Sequence, residues 1–357
     1  MANEPTKLRD GKIVLSEQPL VLETPIDQLT DFITPTKAFY VRAHFPTPKI
    51  DKNKWRLRIE GEVEKPFEIN FDELTKLESK KIPATLECAG NNRSFLEPKV
   101  KGVQWTLGGV SNAEWTGVPL SILLDRAGVK LSAREIIFEG ADRGTLEDPK
   151  SPRGEMNFAR SIPLQKARDV LLAYKMNDVD LPIENGFPVR AIVPGWYAVA
   201  SIKWLQQIIV TDKPFNGYYQ TLDYSYWKRE GELAELVPLR ELAIKAQITQ
   251  PSEGGAVPAN SNVRVRGAAW TGNGEILKVE LSVDAGKTWN EAKLLDESKP
   301  NAWRLWEFGW KTPARSGKAT LIARATDSNG GTQPMKRDPD RGTYMINHLL
   351  PITVEVS

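Results

Sequence analysis

Residues Trp55 to Gly61 alternate apolar and polar side chains, the two-residue period of a half-buried strand. Asn70-Phe71-Asp72-Glu73-Leu74 then opens a short helix, with an Asn or Asp cap and an acidic first turn. Pro119 to Ala127 predicts a second helix. Proline sits at its first turn, Leu120, Leu123, Leu124 and Ala127 share a face, and Gly128 stops it. Short apolar runs at Glu135–Phe138, Val170–Tyr174 and Val189–Val193 read as strands. The first 25 or so residues are charged and proline-interrupted, and are expected to run over the surface. Strands and short helices with irregular connections predict an α+β unit over residues 1–242.

The pattern changes near residue 240. Val263 to Gly267 alternates, Gly272-Asn273-Gly274 turns, Leu277 to Val283 alternates, and Asp284 to Lys287 turns again. Strand-like runs at Trp303–Trp310 and Ala319–Ala325 follow, with no helical period between them. This predicts an all-β sandwich of roughly seven strands over residues 243–357.

The chain has 357 residues, enough for two domains, and 40% hydrophobic with 26% charged residues is ordinary globular composition. A net charge of +2 gives no bulk attraction to nucleic acid or a membrane surface, and no run reaches the ~20 apolar residues of a membrane helix. The opening Met1 to Pro5 carries neither an apolar run nor twin arginines, so no export signal is expected in the chain as it stands. A single cysteine forbids an intrachain disulfide, a Cys-x-x-Cys-His haem site and an iron–sulfur cluster. The two histidines, His44 and His348, lie in unrelated contexts and make a poor haem pair.

That cysteine, Cys88, ends an apolar, β-branched run from Ile82 to Leu86 and precedes a turn of small residues with Arg93 beyond it. A thiolate at such a place can bind a soft metal or attack an electrophile. Residue spacing alone equally allows an inert buried thiol, a cysteine hydrolase with His44 or His348 as base, or a non-catalytic binding protein built on the sandwich.

Several blocks narrow this. Leu86-Glu87-Cys88-Ala89-Gly90-Asn91, Lys101 to Trp105, Trp115 to Leu120, Gly186 to Arg190, Val193-Pro194-Gly195 and Ser201 to Leu205 occur in one order. In that order and near that spacing they resemble the molybdenum-binding core of the sulfite oxidase family, from about Phe39 to the C-terminus. The resemblance implies a molybdopterin-binding domain followed by an immunoglobulin-like sandwich that makes a homodimer. It implies Cys88 as the one protein ligand of a molybdenum held by molybdopterin.

By the same resemblance Arg42, Arg93 and Arg341 are substrate arginines, Trp105 a pocket wall, and Tyr224 a donor at the oxygen-transfer site. Tyr40, Arg42 again, His44, Asp142, Asn185, Arg190, Ser201, Ile202 and Lys203 match contacts of the pterin, its phosphate and their surroundings. Planar, permanently charged arginine suits a small oxyanion, and the resemblance implies sulfite. Electrons would pass to a separate acceptor, a c-type cytochrome or oxygen, in a periplasmic setting. A nitrate or sulfoxide reductase is the alternative. Two departures stand out: Asn92 replaces the first arginine of a doublet found in animal sulfite oxidases and nitrate reductases, and Ala43 replaces an asparagine.

Overall fold

The computed structural model describes residues 7–146, 154–295 and 297–357. The opening Met1 to Pro5 therefore lies outside the described residues. The fold is mostly β, with helices only as short connectors.

The N-terminal residues depart from expectation. Lys12–Glu17 and Leu20–Glu23 are strands of a four-stranded sheet completed by Leu8–Arg9 and Val41–Arg42. Val21, Leu22 and Glu23 are buried, because Val21 pairs with Arg42 and Leu22 with Val41. The segment is a structural floor that fixes the backbone of Arg42, and its apolar Leu20-Val21-Leu22 run, short among charges, is what carries it inward.

A second sheet orders Met156–Pro163, Glu135–Gly144, Leu205–Thr211, Arg56–Gly61 and Phe67–Asn70. The alternation of Arg56–Gly61 buries Leu57 and Ile59 and leaves Arg56 and Arg58 outward. Asn70 caps the Phe71–Thr75 helix, its side chain accepting from Glu73 N while the Glu73 carboxylate accepts from Asn70 N. A third sheet pairs Lys80–Glu87 with Val110–Pro119, and that strand with Leu171–Met176. Pro119 ends the strand, and the helix runs Leu120–Ala127, burying the expected Leu120, Leu123, Leu124 and Ala127 before Gly128 closes it at φ +68°.

From Lys245 onward two sheets face each other, one of four strands and one of five. Val265, Val279, Leu281, Trp306, Leu321 and Val354 are buried between them. Trp270 and Trp303, from the same C-terminal half, pack instead into the large core of the preceding sheets. The two halves are thus joined through apolar contact. Ser225–Glu230 and Leu233–Pro238 form an exposed hairpin that the sequence pattern did not predict.

Candidate active site

Cys88 follows the last residue of the Lys80–Glu87 strand. Its N–H still donates to Gly109 O at 2.8 Å, continuing the ladder one step. The chain then turns: Asn91 N donates to Cys88 O at 2.8 Å, and the Asn91 side chain bonds Glu87 and Gly109 N. Asn92 takes a left-handed φ of +73°, a conformation asparagine tolerates better than most residues. The thiol is thereby held at the wall of a partly enclosed cavity. Burial pushes its pKa up, against the opposing pull of Arg42.

Eleven of the fourteen residues singled out in the sequence line this cavity: Tyr40, Arg42, His44, Cys88, Asp142, Asn185, Arg190, Ser201, Ile202, Lys203 and Tyr224. They come from distant segments because the Val41–Arg42, Glu135–Gly144 and Arg190–Ile192 strands converge there. His44 Nε2 and Tyr224 Oη lie 2.6 Å apart, and Phe158 stacks on the imidazole at 4.2 Å. Burial and the nearby Arg42 hold His44 well below the usual histidine range, so the ring is neutral. Burial likewise keeps the Tyr224 hydroxyl protonated.

Cations dominate the rest of the lining. Arg190 donates to Asn185 O and Ser201 O, both at 2.9 Å, and Lys203 donates to Glu184 O at 2.8 Å. Asp142 and Lys203 are both pushed to about 7, the carboxyl upward and the ammonium downward, each by loss of water. Both charges are thus held in a poorly hydrated wall, with Lys203 keeping one carbonyl partner.

Three expected residues lie outside the lining. Arg93 is buried, but its guanidinium donates to Thr343 O at 3.1 Å and Val103 O at 3.0 Å. Gly90 and Gly102 leave room for it: a Cβ at either would come within 2.7 Å of its nitrogens. It acts at one remove, stacking over Tyr344 at 5.1 Å, which stacks on Tyr224 at 4.9 Å. Trp105 is fully buried, edge-on to Tyr40 at 5.7 Å, and so backs the wall rather than forming it. Arg341 is half-buried and turned to Asp338 at 3.3 Å and Asn347 at 3.4 Å.

Sequence reasoning missed Phe158, Glu184 and Trp204 in the lining, together with Arg160 behind it. Arg160 is fully buried and holds the turn around Tyr224 by donating to Tyr219 O and to Leu239 O at 2.7 Å. Trp204 lay within a block already quoted; Phe158 and Arg160 sit in a strand whose sequence carries no motif.

The family described as "Oxidoreductase molybdopterin binding domain" matches residues 44–219, and "Mo-co oxidoreductase dimerisation domain" matches residues 237–347. Sulfite oxidase of Gallus gallus is 34% identical over 346 residues, covering 91% of this chain and 73% of that protein. The chain belongs to the sulfite oxidase family. Mitochondrial sulfite oxidase of Mus musculus is 35% identical over 89% of this chain, which spans 60% of the mouse protein's length. A nitrate reductase of Arabidopsis thaliana is 31% identical over 90% of this chain and 38% of its own. Among solved structures, the sulfane dehydrogenase SoxCD of Paracoccus pantotrophus superposes with a TM-score of 0.82 at 28% identity, covering 100% of this chain and 94% of that one.

The residues present fit the family's cofactor. Cys88 supplies one soft sulfur donor. Arg190 Nε is buried with no hydrogen-bond partner among the described residues, and Lys203 stands poorly solvated in the same cavity. Together they leave cationic donors for a phosphate. Among the described residues no group of three or more His, Cys, Asp and Glu side chains could hold a metal by itself.

Proposed function

We propose that this chain oxidises sulfite to sulfate at a molybdenum bound by Cys88 and molybdopterin. The observation that carries the reading is the convergence of the single thiol, Arg42 and the Tyr224–His44 pair on one cavity. When bound, the molybdenum pterin supplies oxygen-atom transfer and accepts the two electrons that sulfite releases. The chain's own residues do the rest. Arg42 offers permanent charge to the oxyanion in a poorly hydrated cavity, where attraction between opposite charges is less screened. Tyr224 keeps its proton and can donate it in a hydrogen bond to a substrate oxygen while neutral His44 fixes its orientation. Arg93, through Tyr344, holds the tyrosine ring from behind. Arg341 stands beyond this layer as a second source of positive charge. Arg190, Ser201 and Lys203 receive the pterin phosphate, with Tyr40, Asp142, Asn185 and Ile202 around the pterin and Trp105 supporting Tyr40.

Two electrons must leave, and we assign them to a separate acceptor, a periplasmic c-type cytochrome. We further read residues 1–242 as the catalytic unit and 243–357 as an immunoglobulin-like sandwich through which the chain forms a homodimer. The two facing sheets and the dimerisation-domain match support this reading. A reductase of nitrate or a sulfoxide is the second reading, favoured by Asn92 and by the similarity to a nitrate reductase. The test is metal analysis joined to steady-state assays. Sulfite-dependent reduction of ferricyanide and cytochrome c supports the first reading, and dye-driven reduction of nitrate or a sulfoxide without sulfite oxidation supports the second.

A further inference from the structure

The residues on either side of the Cys88 turn share one partner, and it comes from the C-terminal sheets. Lys245 opens the Lys245–Gln250 strand, opposite Trp270. Its ammonium lies 2.5 Å from Glu87 Oε1 and 2.6 Å from Asn92 Oδ1. Trp270 Nε1 donates to the other Glu87 oxygen at 2.9 Å, and Asn91 Nδ2 donates to Oε1 at 3.1 Å. Lys245, Glu87 and Asn92 are each at most 4% exposed. Glu87 directly before the thiol and Asn92 beyond it are therefore both held by Lys245, and Trp270 completes the Glu87 contacts.

This arrangement is expensive in free energy. Replacing such a pair by apolar side chains is often neutral or stabilising, so stability does not explain it. It also gives Asn92 a purpose. An amide oxygen can accept from Lys245, whereas an arginine at 92 would set a second cation against the ammonium.

We propose that Lys245 is a positioning residue for the metal site. By neutralising Glu87 directly before Cys88 and gripping Asn92 beyond it, it sets the geometry and local field of the metal-binding turn. The docking of the C-terminal sheets is thereby coupled to the metal. The inference rests on Cys88 binding molybdenum, but not on sulfite being the substrate.

The test compares wild type, Lys245→Met and the double variant Lys245→Met/Glu87→Gln, each as purified enzyme. Readouts are molybdenum per chain, the g-values of the half-reduced Mo(V) state after titration with dithionite, turnover per molybdenum with its KM, and melting temperature. Lys245→Met strands a buried carboxylate and should lower the melting temperature by at least about 5 °C, with loss of molybdenum. The double variant removes that stranded charge and should fold with the metal bound. It should still show shifted g-values and at least about fivefold lower turnover per molybdenum, with KM within about twofold. Wild-type g-values and turnover in the metal-loaded double variant would overturn the proposal and leave the pair a staple between the sheets. Wild-type protein free of molybdenum would overturn the function proposed above and this role with it.

Discussion

His44 Nε2 and Tyr224 Oη, 180 residues apart in sequence, meet at 2.6 Å on the wall of the Cys88 cavity. Both are neutral, because burial opposes an imidazolium and a phenolate alike. Tyr224→Phe keeps the ring stacked on Tyr344 and removes only the hydroxyl. Turnover should fall at least about tenfold, the worth of a hydrogen bond to a charged oxygen, while the melting temperature stays within a few degrees. Steady-state kinetics beside a thermal melt checks both halves.

The depressed His44 pKa has a consequence for stability. In the unfolded chain the imidazole takes a proton below about pH 6.5, and in the fold it does not. The unfolded state then binds more protons, so stability falls as pH drops below 6.5, by up to about 1.4 kcal/mol per pH unit. His348 is lowered in the same direction. The difference between wild type and His44→Gln therefore isolates the His44 share: the variant should show a shallower acid limb in urea melts between pH 4.5 and 6.5. Equal slopes would contradict the assignment.

Arg42 is the cation placed in the lining by the small sheet that holds its backbone. Arg42→Met should raise the KM for the oxyanion at least about tenfold and leave the cofactor bound, because a charged hydrogen bond contributes roughly 1.5–3 kcal/mol. Substrate titration of variant protein matched for molybdenum content measures it.

Assembly is tested in solution. Sedimentation equilibrium at micromolar concentration should return twice the chain mass. A monomer under those conditions would remove the dimer from the account.

What the sequence revealed and what it hid divide along physical lines. Cys88, Arg190 and Lys203 were legible because they lie in contiguous blocks whose order carries the family's signature. The C-terminal sheets were legible because period-two alternation survives where one face of each strand is covered. The buried N-terminal strand Leu20–Glu23 was not, since three apolar residues between charges resemble a surface segment. Nor did local sequence say that Arg93 would donate to Thr343 O, because that depends on a segment 250 residues away. The Glu87–Lys245 pair is hidden for the same reason: each half reads alone as an ordinary charge, and only packing makes them partners.

The central claim is that molybdenum at Cys88 oxidises sulfite, and one assay bears on it most directly: sulfite-dependent reduction of ferricyanide, expressed per molybdenum, for wild type and Cys88→Ser. A hydroxyl is a poorer ligand than a thiolate for this metal. The account predicts about one molybdenum per wild-type chain with saturable sulfite turnover, and turnover lost in Cys88→Ser although the protein still folds. Full turnover in Cys88→Ser, or molybdenum-replete wild type that leaves sulfite untouched while reducing nitrate or a sulfoxide, would contradict it.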